Sequence, residues 1–165
     1  MTSRDPRAAP ARSSIVDSAG PGASTSESPD APYVSIVIPV YNEEALLHAA
    51  VAGLREQLAE LPERYEIVLA ENGSTDATLK VLAALSQRHE DVRYISLPTP
   101  NYGRALREGI AFARGKIVIC EEIDLCDVDF HRRALELLKV DADFVIGSKL
   151  ISGARDERPW LRHGA

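Results

Sequence analysis

Cysteine is scarce in this chain: there are two, Cys120 and Cys126. They form no CxxC pair, so neither a disulfide-stapled scaffold nor a zinc site is encoded. That scarcity fits a reducing compartment and predicts a cytoplasmic location. The four histidines, His48, His89, His131 and His163, share no metal-ligand spacing and are expected at the surface. A basic excess is missing too. Against 25 Asp and Glu stand 19 Lys and Arg, a formal net charge of −6, which argues against a nucleic-acid partner. A single nucleotide stays open, because backbone amides and a metal ion can hold its phosphates. No apolar run approaches the roughly 20 residues that a membrane-crossing helix needs. The fingerprint GxGxxG is absent after the first predicted strand, and there is no Walker A loop.

What is there suits one domain with a real core: 165 residues, 45% hydrophobic and 27% charged. Residues 1–32 stand apart. They hold half of the ten prolines, with Ile15 and Val16 as their only large aliphatics. Such a composition builds no core, so a disordered, solvated tail is expected. The segment has no apolar stretch for a secretory signal. Asp5, Asp17, Glu27 and Asp30 oppose a transit peptide.

Order is predicted from Tyr33. Val34–Val40 is rich in β-branched residues and reads as a buried strand, with Pro39 near its end where a missing N–H is tolerated. Asn42 reads as an N-cap, and Leu47, Val51, Leu54, Leu58 and Leu61 give one apolar helix face ending near Pro62. Tyr65–Ala70 is a second strand. Asn72-Gly73 marks a turn, Ser74 reads as the next N-cap, and Val81, Leu82 and Leu85 point inward from a second helix. Val92–Leu97 is a third strand. A helix from about Gly103 to Arg114 places Leu106, Gly109, Ile110 and Ala113 on one face. Ile117 opens a fourth strand. Phe130, Ala134, Leu137 and Leu138 mark a fourth helix, and Phe144–Gly147 a fifth strand. Ser148–Ala165 shows no periodicity.

The pattern βαβαβαβαβ predicts an α/β fold: a Rossmann-like, mostly parallel sheet with helices on both faces. In such sheets ligands bind beyond the carboxyl ends of the strands, near a switch in strand order. The polar clusters fall at those ends: Tyr41–Glu44, Glu71–Asp76, Asn101–Arg104 and Glu121–Asp129. Tyr41 offers a ring that can pack on a base, and Glu43, Glu71 and Asn72 offer polar readers for base or ribose. Glu122 and Asp124, spaced by one residue after a buried strand, suit a divalent cation such as Mg²⁺ or Mn²⁺ that would neutralise the phosphates. Asp127 and Asp129 repeat the spacing but read as helix-start residues, and Glu121 as the strand end. Glu44 reads as a first-turn charge, and Arg104 and Arg107 as solvated helix charges.

Val34–Glu43 (VSIVIPVYNE), Glu66–Asp76 (EIVLAENGSTD), Asn101–Gly115 and Ile117–Asp124 together resemble family-two glycosyltransferases of the GT-A fold, closest to the dolichol- or polyprenyl-phosphate sugar transferase branch. The blocks occur in the right order over residues 33–165. The resemblance implies a nucleotide-sugar donor, a divalent metal and transfer with inversion. It places Pro39, Tyr41 and Glu43 on the donor-base turn and Glu71 and Asn72 on the second donor turn. It places Glu122 and Asp124 on the DxD metal motif, with Asp124 catalytic, and Lys149 where the family often has Arg after Gly-Ser. It also implies a lipid-phosphate acceptor at a membrane surface.

Three departures stand out. The family's usual DDGS is Glu71-Asn72-Gly73-Ser74 here. Its DxD is Glu122-Ile123-Asp124. Such transferases usually continue well past this point, so the C-terminal part, an acceptor-side segment or an anchor, is expected beyond residue 165. Lys149, Arg158 and Arg162 are candidate phosphate partners, with Trp160 as an apolar contact. Two further readings follow: a truncated, non-catalytic relative that binds a nucleotide sugar without transfer, and a sugar nucleotidyltransferase. The last would carry a Gly-rich, Arg-containing loop where this chain has Tyr41-Asn42-Glu43.

Overall fold

The computed structural model describes residues 16–17 and 31–147. In chain order the elements are β1 (Val16–Asp17), β2 (Val34–Val40), α1 (Leu47–Leu58), β3 (Tyr65–Asn72), α2 (Thr78–Arg88), β4 (Val92–Leu97), α3 (Tyr102–Phe112), β5 (Ile117–Cys120) and α4 (Val128–Val140). The chain divides into two compact units, residues 1–126 and 127–165.

The first unit is the α/β fold that the pattern predicts. Its sheet runs β1-β4-β3-β2-β5. The pairs β2–β3, β3–β4 and β2–β5 are parallel. Register partners in a parallel ladder share a face. Ser35 and Glu66, Val37 and Val68, and Pro39 and Ala70 therefore lie on one side, and Ile36 and Ile67, Ile38 and Leu69, and Val40 and Glu71 on the other. Both sides are covered: Ile36, Val37, Ile38, Val68, Leu69 and Ala70 are all 0% exposed, as expected for parallel strands read as continuous apolar runs. Helix α3 packs on the Val37 and Ala70 side. There a Cβ added to Gly109 would stand 2.7 Å from Val37 Cγ1, so a glycine permits the approach. Helix α2 runs along β3 and β4 and packs on α1.

One charged cluster is built into this core. Glu66 is 1% exposed. It accepts from Ser35 Oγ at 2.7 Å, from Arg93 at 2.9 Å, and from the Arg114 backbone N–H and guanidinium at 2.7 and 2.9 Å. Burial alone would raise its pKa; the hydrogen bonds from Arg114, Ser35 and Arg93, with the Arg93 charge, hold it below the ordinary glutamate value instead. Arg93 also stacks its guanidinium 3.8 Å over the Phe112 ring. The cluster ties β2, β3, β4 and the end of α3 together near the strands' starting ends.

Several elements differ from the sequence reading. Helix α1 begins at Leu47, with the expected face of Leu47, Val51, Leu54 and Leu58. Asn42 does not cap it, because its φ of 55° turns the chain left-handed before any helix can start. Ser74 does not cap α2 either; Asp76 Oδ1 accepts from the Thr78 N–H at 2.9 Å. Helix α3 buries Ala105 and Gly109, capped by Asn101, which accepts from the Arg104 N–H at 2.9 Å, and leaves Ile110 42% exposed.

Val16 and Asp17, inside the segment read as a tail, pair antiparallel with Ser96 and Ile95. In the second unit, Asp127 caps α4 by accepting from the Phe130 N–H at 2.9 Å. The helix buries Ala134, as expected, together with Val128, His131 and Leu135, while Phe130 and Leu138 are half-buried and Leu137 is exposed, so His131 is a core residue, not a surface one. Residues 144–147 form no strand. A strand needs a neighbour for its backbone groups, none pairs with this run among the described residues, and Phe144 and Ile146 are 79% and 74% exposed.

Candidate functional site

The strand order itself locates a switch point. From β2 the chain adds β3 and then β4 on one side, and returns to place β5 on the other side of β2. The order therefore reverses between β2 and β5, and ligands in open α/β sheets bind outside the carboxyl ends of the strands at such a point. The segment after β2 carries Tyr41, Asn42, Glu43 and Glu44. The segment after β5 carries Glu121, Glu122 and Asp124.

The turn after β2 is sewn to the turn after β3. The Asn42 N–H donates to Ser74 Oγ at 3.0 Å, and the Thr75 N–H donates back to Asn42 Oδ1 at 2.8 Å. The Glu43 N–H donates to Thr78 Oγ1 at 2.8 Å, and the Glu44 N–H to Asp76 Oδ2 at 3.3 Å. Glu44 in turn accepts from the Ala77 N–H at 2.7 Å, at the positive end of α2. A third turn joins these two. The Asn101 N–H donates to Asn72 Oδ1 at 2.5 Å. Gly73, with φ of 70°, lies so close to the 99–100 backbone that an added Cβ would stand 2.8 Å from Thr99 C and Pro100 N. The rim is one connected structure.

The predicted residues fall on this rim with unequal availability. Pro39 is half-buried in β2, opposite Ala70. Tyr41 is 45% exposed just past β2, and Glu43 is half-buried beside it. Glu71 is 2% exposed. One carboxylate oxygen accepts from the Ser74 N–H and the other from Ser96 Oγ, so it braces the turn from below. Asn72, 7% exposed, has its oxygen engaged by Asn101. A backbone N–H can be accepted only by the amide oxygen, which leaves Nδ2 as the group Asn72 can offer a ligand. Lys149 lies outside the described residues, as do Arg158, Trp160 and Arg162.

Glu122 and Asp124 are both exposed after β5, on a turn closed by the Leu125 N–H donating to the Glu122 carbonyl at 3.0 Å. Two carboxylates of this kind are hard oxygen donors that fit Mg²⁺ or Mn²⁺. Among the described residues no group of three ligating side chains gathers. Burial first, then the charges of Glu121 and Asp124, push the Cys126 thiol up to about 12.

Sequence reasoning missed Tyr102. It stands 53% exposed at the start of α3. Burial, then the charges of Glu122 and Cys120, push its phenol up, which places it within electrostatic reach of Glu122. It also missed the bracing roles of Asn42, Glu44 and Ser96. The polar Glu71–Ser96 register pair on an otherwise apolar sheet face was the available signal for the last.

A mostly parallel sheet with polar turns at the carboxyl ends of its strands defines an α/β domain of the class that binds ligands at a strand-order switch. Residues 35–164 match the profile of Glycosyl transferase family 2, and the chain belongs to that family. Among curated relatives, an undecaprenyl-phosphate 4-deoxy-4-formamido-L-arabinose transferase of Pseudomonas aeruginosa is 33% identical over 131 residues, 78% of this chain and 38% of that protein. An uncharacterized glycosyltransferase of Synechocystis sp. is 42% identical over 96 residues, 57% of this chain and 30% of that protein. The uncharacterized glycosyltransferase YkcC of Bacillus subtilis is 33% identical over 95 residues, 56% and 29%. The chain thus spans about a third of the length of these relatives. No helix among the described residues is long and apolar enough to cross a membrane.

Proposed function

We propose that this chain is the nucleotide-sugar-binding part of a metal-dependent, inverting glycosyltransferase whose acceptor is a polyprenyl phosphate. The observation that carries the reading is the strand-order switch between β2 and β5, with the exposed Tyr41 after β2, on a turn bonded to those after β3 and β4, and the exposed Glu122 and Asp124 after β5. The donor's base would lie across the first two turns, against Tyr41, Glu43 and the Asn72 amide, with Pro39 closing the strand end beneath it. The diphosphate would point toward Glu122 and Asp124. Bound there, Mg²⁺ or Mn²⁺ supplies positive charge to the departing diphosphate. Asp124 and Glu122 hold that charge in place, and the exposed turn leaves the sugar open to attack.

In the reaction, an acceptor oxygen forms a bond to the sugar's anomeric carbon as the bond to the diphosphate oxygen breaks. The electron pair leaves on the diphosphate, and the configuration inverts. A phosphate acceptor is already ionised near neutral pH, so it needs no general base from this chain. The Pseudomonas relative, named for transfer to undecaprenyl phosphate, supports that acceptor class. An acceptor of that kind implies work at a membrane surface.

A second reading is a binding module without transfer. The departures from the family's usual acidic motifs, Glu71-Asn72-Gly73-Ser74 and Glu122-Ile123-Asp124, favour it. Calorimetric titration of UDP- and GDP-sugars with and without Mn²⁺ tests donor binding, and a radiolabelled assay with polyprenyl phosphate tests transfer. Transfer that Asp124→Ala abolishes supports the enzyme. Binding without transfer supports the module, and no metal-dependent binding of any donor removes both.

A further inference from the structure

Asn42 is the one non-glycine residue with positive φ among the described residues, at 55°. Such a conformation persists where the surroundings over-determine it, and it marks places where geometry matters to a site. Here Asn42 bridges two turns in both directions, donating its N–H to Ser74 Oγ and accepting the Thr75 N–H on Oδ1. Its two chain neighbours are Tyr41 and Glu43, the aromatic and acidic groups that face the proposed base.

We propose that Asn42 is a positioning residue of the donor site. Its left-handed backbone and its amide oxygen lock the turn after β2 onto the turn after β3, so that Tyr41 and Glu43 are presented already ordered. The inference rests on the nucleotide-sugar reading and deepens it. With Oδ1 committed to Thr75, Asn42 acts on a donor through the backbone it fixes. Ordering a binding turn in advance removes a loss of freedom that binding would otherwise incur. Residue chemistry separates the two contributions. Aspartate tolerates the left-handed region and keeps an acceptor, glycine keeps the backbone without the acceptor, and alanine keeps neither.

The test compares the unaltered chain with Asn42→Asp, Asn42→Gly and Asn42→Ala, at a temperature where circular dichroism shows all four folded. UDP, GDP, CDP and ADP are titrated calorimetrically in Mn²⁺, and backbone amide exchange is followed in parallel. Asn42→Asp should keep its nucleotide affinity within about twofold, while Asn42→Gly should weaken it about fivefold and Asn42→Ala further. Exchange should quicken at Thr75 and Glu43 in the Gly and Ala variants and stay unchanged in β2 and β3. Equal affinity of Asn42→Gly and the unaltered chain overturns the proposal. So does an equal loss in all three variants, which would mark general damage rather than a missing bridge. If the unaltered chain binds no nucleotide, the donor reading falls and takes the inference with it. Binding that survives Asn42→Gly fells the inference alone.

Discussion

Ser96 donates its hydroxyl to the buried carboxylate of Glu71 across the β3–β4 ladder, where the two residues are register partners. The other Glu71 oxygen accepts from the Ser74 N–H, so one side chain ties two strands to the turn above them. Replacing Glu71 by Leu removes both acceptors and leaves the Ser74 N–H and the Ser96 hydroxyl without their partner. Stability should fall by about 1–3 kcal/mol, the cost of leaving buried groups unpaired, read as a lower urea midpoint. An unchanged midpoint would show that these bonds contribute nothing net.

The Glu66 cluster predicts an acid-sensitive fold. Its folded pKa is depressed below the ordinary value, and unfolded glutamates titrate near about 4.3. A depressed carboxylate contributes its stabilisation fully above the unfolded value and loses it as pH falls through the folded value. Urea midpoints of the natural chain should therefore drop as pH is lowered below about 4, and a Glu66→Gln chain, less stable at pH 7, should lose much less over that range. Parallel pH profiles for the two would remove Glu66 as the cause.

Much of this arrangement was legible from local pattern. The apolar runs Val34–Val40 and Tyr65–Ala70 are strands because parallel strands buried on both faces need unbroken apolar sequence. The four-three spacing from Leu47 to Leu58 found the buried face of α1. The positions of the polar turns followed, since they must come where strands end. What was not legible depends on partners distant in sequence. Asn42 looks like a helix cap until Ser74 and Thr75, more than thirty residues on, hold it in a left-handed turn. The bonds of Glu71 to Ser74 and Ser96 could not be read either, since Ser96 lies on a strand 25 residues on. The face of α4 was ambiguous because apolar residues occupy two adjacent stripes, and burial chose Val128, His131, Ala134 and Leu135. The run Phe144–Gly147 has strand-like composition, but pairing is not a property of composition.

Two glycines should respond to alanine with opposite signs. Gly73 has φ of 70°, and an added Cβ would stand 2.8 Å from the Thr99 and Pro100 backbone. Gly73→Ala should cost about 1–3 kcal/mol through strain and contact together, and should pull the third turn away from the second. Gly53 lies inside α1 with nothing within 4 Å of an added Cβ. Gly53→Ala should raise stability by about 0.5–1 kcal/mol through the entropy of the unfolded chain. Thermal melts of both variants against the natural chain decide it, and a shift of the same sign in both would contradict the argument.

The polarity of Asn72 predicts which base the proposed donor site favours. Its Oδ1 accepts the Asn101 N–H at 2.5 Å, so a base in the proposed site would meet the Nδ2 group, which only donates. A base edge that presents an acceptor there, as cytosine N3 does, satisfies it. The imide N3–H of uracil or the lactam N1–H of guanine would meet a second donor there. Asn72→Asp keeps one oxygen for Asn101 and turns the other outward as an acceptor, so the preference should move toward UDP and GDP. Sites built to pair with one hydrogen-bonding group reject its opposite strongly, so the UDP-to-CDP affinity ratio should rise by about tenfold or more in the variant. Calorimetric titrations of CDP, UDP and GDP against both chains measure that ratio. If it is the same in the two, the base does not read residue 72, and the donor lies across the rim in some other way.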